Sequence, residues 1–290
     1  MEAIAIGTHN TLAGHTLGKL LKPHMEGTIF INFFARQTLI KQNDSDVDRM
    51  FAVGRNGALQ LVSNNLIKTF NFQDAAFPRM MAQRGFPRNE SDGVKDFFYR
   101  KDGFKLWDIL TKYVTRIVNK IYGADLDVES DEALNRFTKS LSNPKQGNIP
   151  GFPEKIITKP HLIETLTNII FTASVQHQAL NAPHHFYSYI PHRPTFLTKW
   201  MPEEEKIITW EWIKTALPTM EQAEEVYDLS MLLSTHSLCT LIELDVFEDD
   251  FPDIQKQLNR DLNKLSFEIE SRDGDYDYLD PARVACSIDV

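Results

Sequence analysis

Leu162-Ile-Glu-Thr-Leu-Thr-Asn-Ile-Ile-Phe-Thr-Ala-Ser-Val-Gln-His-Gln-Ala-Leu-Asn181 is the stretch from which the rest of the fold can be read. Leu162, Ile163, Leu166, Ile169, Ile170, Phe171 and Val175 recur at helical spacing, which predicts a core helix. Just upstream, Thr158-Lys159-Pro160 supplies a capping hydroxyl and a proline suited to a first helical turn, so the helix is expected to begin there. At its far end His177 and Asn181 stand four residues apart, and an imidazole and an amide therefore share one helix face. Buried polar groups need partners. A second polar side chain meets that need, and so does a metal ion; the spacing alone leaves both open.

The same reading extends along the chain. Leu106, Trp107, Ile109, Leu110, Tyr113, Val114, Ile117, Val118, Ile121 and Tyr122 form a broad apolar stripe that must pack against other helices, with Gly123 as its stop. Residues 124–153 are polar and predict a short helix leading to an exposed loop around Asn143-Pro144 and Gly147-Asn-Ile-Pro-Gly-Phe-Pro153. Residues 182–205, rich in proline and aromatics, predict an irregular packed connection. A helical pattern resumes at Val226, Leu229, Leu232 and Leu233. The last long helix is expected to be capped by Asp249 or Asp250, to carry Pro252 in its first turn, and to bury Phe251, Ile254, Leu258, Leu262, Leu265 and Ile269. Thr28-Ile-Phe-Ile-Asn32 is expected as a short strand. The fold class is mainly α, a helical bundle forming one unit.

Composition bounds the function. The 290 residues are 42% hydrophobic and 24% charged, enough for a sizeable core. A net charge of −9 with no basic stripe argues against nucleic acid as a partner. Cys239 and Cys286 are too few for a disulfide framework and suit a reducing compartment. Met1-Glu-Ala-Ile-Ala-Ile-Gly lacks the basic start and long apolar core of a signal peptide, and no apolar run reaches membrane-spanning length. A cytoplasmic location is the expectation.

Several ordered blocks carry a family resemblance: Phe171-Thr-Ala-Ser-Val-Gln-His-Gln-Ala-Leu-Asn181; His15-Thr-Leu-Gly-Lys-Leu-Leu-Lys-Pro-His24; Ile31-Asn32 with Ala35-Arg36-Gln37-Thr38-Leu39-Ile40; Phe77-Pro78 with Arg84-Gly85; Phe98-Tyr99-Arg100-Lys101-Asp102-Gly103 with Leu106-Trp107; and a carboxy-terminus from Tyr276-Asp-Tyr-Leu-Asp-Pro281 to Ser287-Ile-Asp-Val290. Together they resemble a lipoxygenase. The resemblance runs over nearly the whole chain and implies the C-terminal half of that family's catalytic domain, truncated on its N-terminal side and without a β-barrel lipid-binding domain.

The resemblance implies a non-haem metal dioxygenase, an oxidoreductase that inserts both atoms of O2 into a polyunsaturated fatty acid to give an oxylipin hydroperoxide. The metal would be iron, with manganese as the alternative, held by His177, Asn181 and the terminal carboxylate of Val290, donors that suit either ion. Gln176 and His184 would lie next to the ligands. Ala35 matches the small residue that influences the face of oxygen attack. Met50 and Phe51, and with them Leu229, match positions that limit how deeply the acyl tail inserts. No side chain is implied as an acid–base catalyst.

Four departures qualify the likeness. Val290 replaces the usual isoleucine, a tolerable change because the ligand is the main-chain carboxylate; His184 stands where many relatives have glutamine, and Cys286 where asparagine precedes Ser287. The family's His-x4-His pair is absent, and His9, His15, His185 and His192 have the wrong spacing or fall in loops. Weak metal binding and weak or absent catalysis by this chain alone are therefore expected, with self-association through uncovered apolar stripes. A metal-free fatty-acid-binding or interaction fragment is the alternative expectation.

Overall fold

The structure is a computed structural model of residues 1–290, described here except at 44, 51–52, 90–93, 95, 182–196, 200–206, 236–237, 273–275 and 289–290, and without the side chains of 49–50, 65–67 and 229–235. Its described elements are helices; among the described residues the sole β pairing is an isolated antiparallel bridge between Thr240 and Ala285. Two compact units emerge, one made of Met1–Ile29, Phe70–Leu180 and Ser237–Asp289, the other of Phe30–Thr69 and Asn181–His236 with Val290.

In the first unit the expected stripe forms the long helix Phe98–Ile121, which packs on Lys159–Phe171 and on Pro252–Glu270, while Glu2–Leu12 lies against Glu132–Ser142. Leu106, Leu110, Tyr113, Val114, Ile117 and Val118 are all buried on the long helix, and Leu162, Leu166, Ile169, Ile170 and Phe171 face them from the other. Each such side chain contributes about 1.5–3 kcal/mol by leaving water. Where these helices meet, aromatic rings interlock. The Phe171 ring centroid lies 4.7 Å from that of Phe77 and 5.3 Å from that of Trp107, and Phe77 sits 4.9 Å from Phe104. Gly103 lets Phe77 into this cluster, since a Cβ at that position would stand 2.4 Å from the Phe77 ring. A partly buried ion pair closes one flank. Asp102 is 1% exposed and takes both guanidinium nitrogens of Arg272, one bond measuring 2.6 Å.

Thr158 caps Lys159–Phe171 as expected, with Pro160 in the first turn. Elsewhere the structure corrects the reading. Thr28-Ile-Phe-Ile-Asn32 is not a strand; it opens the helix Thr28–Gln37. Five residues were too short a window, because Ile29, Phe30, Phe33 and Phe34 repeat at helical spacing, and Gly27, with φ of 76°, makes the turn that starts the helix. Residues 124–153 hold two helices, Asp125–Ser130 and Glu132–Ser142, the second capped by Asp131, whose carboxylate accepts from the Leu134 amide at 2.9 Å. Their following loop buries Phe152 and Ile156. The helix Pro252–Glu270 is preceded by Phe251, without a side-chain cap; Asp250 instead meets Lys19 at 2.5 Å.

The second unit is built of shorter helices. Met220–Thr235 packs on Asp46–Met50, and Thr209 caps Trp210–Ala216 by accepting from the Trp212 amide at 3.2 Å. Phe30, Phe33 and Phe34 are exposed by 67%, 56% and 54%, whereas the long apolar stripes expected to lie uncovered are buried in the first unit. No described helix is long and apolar enough to cross a membrane.

Because Phe171 is held on two sides by rings rather than by mobile chains, Phe171→Ala should leave a cavity that the neighbours cannot close. A loss of about 3–5 kcal/mol in urea unfolding is expected, and a loss below about 1 kcal/mol would show that the aromatic cluster does not anchor the bundle.

Candidate functional site

The helix Lys159–Phe171 does not run unbroken to Asn181. It passes through a π-helical turn, Thr172–Gln176, and resumes as His177–Asn181. Ser174 assists the departure by donating its hydroxyl to the Ile170 carbonyl at 2.7 Å, inside the ladder that an α-helix would otherwise complete. Such turns carry one extra residue and recur at functional sites. Here the turn delivers His177 to a wall of a cavity open to solvent on one side.

That cavity has a volume of about 480 Å³ and is lined mainly by apolar side chains, among them Ile4, Phe70, Phe72, Ile149, Pro150 and Ile288, with Gln176 and His177 on one wall. Asn168 braces it by donating its amide to the Phe72 carbonyl at 2.9 Å. Burial pulls the His177 pKa down to about 4, so the ring is neutral at pH 7 and carries a lone pair. A neutral imidazole is the form that binds a metal.

Ile288 reaches this cavity because the tail is fastened before it. The Cys286 amide donates to the Cys239 carbonyl at 2.7 Å, and the Cys286 carbonyl accepts from His24 Nδ1 at 2.8 Å. Ser287 Oγ donates to the Glu26 carbonyl at 2.8 Å, and Thr28 Oγ1 to the Ile288 carbonyl at 3.4 Å. His24 is fully buried, with its pKa lowered by desolvation to about 4, and its bond to a carbonyl fixes the proton on Nδ1. Sequence reasoning missed this role. Lys22-Pro23-His24 stands in one of the resemblance blocks, but nothing in its spacing says that the ring would clamp residue 286.

The expected site residues fall into three groups. Gln176 and His177 line the cavity, and Asn181 ends the same helical segment one turn beyond, half-buried. Ala35 lies half-buried in Thr28–Gln37; Met50 ends Asp46–Met50, and Leu229 lies within Met220–Thr235, the side chains of these last two being outside the description. Phe51, His184 and Val290 lie outside the described residues. His15 is accounted for structurally: its Nδ1 caps Thr16–Leu21 by accepting from the Leu17 amide at 3.0 Å, and its Nε2 lies 3.1 Å from Asp131. Among the described residues no three His, Cys, Asp or Glu side chains converge as a metal would require. Of the expected ligands, the described residues bring His177 to the cavity wall and leave Asn181 one turn beyond it.

The family model for lipoxygenases matches residues 1–249. The chain belongs to the lipoxygenase family. It is 31% identical to the hydroperoxide isomerase ALOXE3 of Homo sapiens over 76% of this chain and 30% of that protein, and 32% identical to the chloroplastic linoleate 13S-lipoxygenase 2-1 of Solanum tuberosum over 81% and 28%. Among solved structures, a lipoxygenase variant crystallised anaerobically with arachidonate superposes with a TM-score of 0.87 at 26% identity, covering 99% of this chain and 44% of that one. Coral 8R-lipoxygenase superposes with a TM-score of 0.86 at 25% identity, over 99% and 45%. This lipoxygenase chain thus spans less than half the length of the relatives named.

The clamp makes a prediction about pH. His24 has a folded pKa below its ordinary 6.5, so the unfolded chain binds the extra proton first, and stability is full above about pH 6.5 and falls as pH drops toward 4. The interval is worth on the order of 3 kcal/mol. Thermal unfolding between pH 7 and 4 should show this fall, and His24→Ala should be less stable at pH 7 yet less sensitive to acid. A variant with the same acid sensitivity as the parent would place the effect elsewhere.

Proposed function

We propose that this chain serves the oxygenation of polyunsaturated fatty acids by O2, contributing an apolar chamber for the acyl chain and one side of a metal centre. The observation that carries the reading is the cavity itself: an apolar volume whose wall holds a neutral imidazole, His177, and the tail residue Ile288. Such a lining suits a hydrocarbon chain, and the π turn places the imidazole on the wall that such a chain would meet.

In this reading His177, Asn181 and the Val290 carboxylate are ligands to iron or manganese, Gln176 and His184 support them, and Ala35, Met50, Phe51 and Leu229 set the acyl chain's depth and the face open to oxygen. The coverage of ALOXE3 and of the linoleate 13S-lipoxygenase supports the class of substrate, since the names of those relatives refer to hydroperoxides and to linoleate. A fastened tail supports the role of the carboxylate: each residue from Cys286 to Ile288 is hydrogen-bonded to the bundle.

A second reading follows from the incomplete donor set among the described residues. The chain would then hold a fatty acid without a metal and without oxygenating it.

Linoleate binding to the purified chain, read by displacement of a fluorescent fatty acid, tests what both readings share. Filling the chamber with Ala75→Phe should weaken binding by about tenfold or more, a change of about 1.4 kcal/mol; unchanged binding would remove the chamber from both. Metal content and the ultraviolet absorbance of conjugated diene, measured after adding iron or manganese, separate them. Diene formation that disappears in His177→Ala supports oxygenation, whereas linoleate binding that survives His177→Ala with no metal and no diene supports the metal-free reading.

A further inference from the structure

Cys239 and Cys286 are the only cysteines in the chain, and the structure brings their sulfurs within 3.2 Å of each other. Both are thiols. They stand opposite one another on the two segments joined by the Thr240–Ala285 bridge, whose flanking bonds are Cys286 N to Cys239 O at 2.7 Å and Leu241 N to Val284 O at 2.9 Å. Directly opposed residues in such an antiparallel pair have Cα atoms about 5.5 Å apart, within the span that a disulfide bridges. The two thiols differ in access: Cys239 is half-buried, and Cys286 is 1% exposed. Cys239 donates its S–H to the Thr240 carbonyl at 3.3 Å, and Cys286 donates its own to the Cys239 sulfur.

We propose that this pair is a modification site for hydroperoxides, which convert it to a disulfide tying the carboxy-terminal tail to the segment at Cys239. The sulfur of Cys239, the less buried residue of the two, attacks the hydroperoxide; an S–O bond forms, the O–O bond breaks, and the alcohol, or water from hydrogen peroxide, departs. Cys286 sulfur then attacks the sulfenic sulfur, the S–S bond forms, the S–O bond breaks, and water leaves with the remaining proton. Two thiols and one hydroperoxide give one disulfide, one alcohol and one water, so that the pair is oxidised by two electrons and the O–O bond takes them up. Sulfur separation must shrink from 3.2 Å to about 2.05 Å, a motion that draws the tail toward a neighbour it already touches. The ring so closed joins residues 47 positions apart and encloses the helix Pro252–Glu270. Closure of a loop of that length restricts the unfolded chain and should raise the unfolding temperature by roughly 5–10 °C.

The reagent class is supplied by the oxygenation reading above, whose product is a fatty-acid hydroperoxide, but the dithiol and its geometry stand without it. The purified full chain is therefore treated separately with hydrogen peroxide and with linoleate hydroperoxide, and its thiols are counted under denaturing conditions alongside peptide mass spectrometry without reduction. Both thiols should disappear together in an intramolecular Cys239–Cys286 peptide two hydrogens lighter, restored by dithiothreitol, with the higher unfolding temperature. Faster reaction with the lipid hydroperoxide would identify that source, and equal rates would show that any hydroperoxide serves. In Cys286→Ser, Cys239 should run on to sulfinic acid; in Cys239→Ser, Cys286 should stay a thiol. Two surviving thiols, cross-links only between chains, or sulfinic acid on the parent's Cys239 with Cys286 intact would overturn the proposal, and each can be read whether or not the chain oxygenates linoleate.

Discussion

Exclusion of water from the seam between Phe98–Ile121 and Lys159–Phe171 is the constraint on which the rest depends. Phe77, Phe104, Trp107 and Phe171 fill that seam, and their rings fix both the separation and the rotation of the two helices. Rotation matters most, because it determines where the chain points when it leaves Phe171 for the π turn, and hence which wall of the chamber His177 joins. Gly103 belongs to the same constraint: a single methyl group there would collide with Phe77 and push the seam apart.

Around that seam the site is arranged by uncharged groups. Desolvation lowers the pKa of both His177 and His24, and from Cys286 to Ile288 the described tail is attached through carbonyls, amides and hydroxyls. Charged contacts among the described residues include Asp102 with Arg272 on the flank and exposed pairs such as Lys19 with Asp250. Exposed pairs contribute little, so salt should affect the surface more than the chamber. A high structural likeness at 25–26% identity fits this division of labour: hydrophobic pattern and a few close contacts preserve a fold that tolerates most other substitutions.

Much of this was legible in the sequence, for reasons that separate cleanly. Long helices with an apolar stripe, Leu106 to Tyr122 and Leu162 to Phe171, were readable because periodicity over many residues records which side is dry. Thr158 and Pro160 were readable because a cap is a local device. The short segment at Thr28 was misread because alternation and helical spacing coincide over five residues, and the cap before Pro252 because Asp250 had a partner, Lys19, more than two hundred positions away. The π turn left no periodic trace, as one added residue only shifts the phase. His24 was invisible as a clamp for the same reason that Lys19 was: long-range hydrogen bonding is a property of the folded chain.

The phase shift has a further consequence. A turn that stores one surplus residue can lose it by a single deletion between Thr172 and Gln176 and relax into ordinary α-helix, keeping nearly all of its backbone bonds. Because the wider turn winds the extra residue into its own circuit, the segment after such a deletion would keep nearly the same rotation about the helix axis. His177 would still face the chamber, and the aromatic seam upstream would stay intact. In this fold, then, chain length at one turn can change by a residue while the direction of the imidazole and the integrity of the core are both kept.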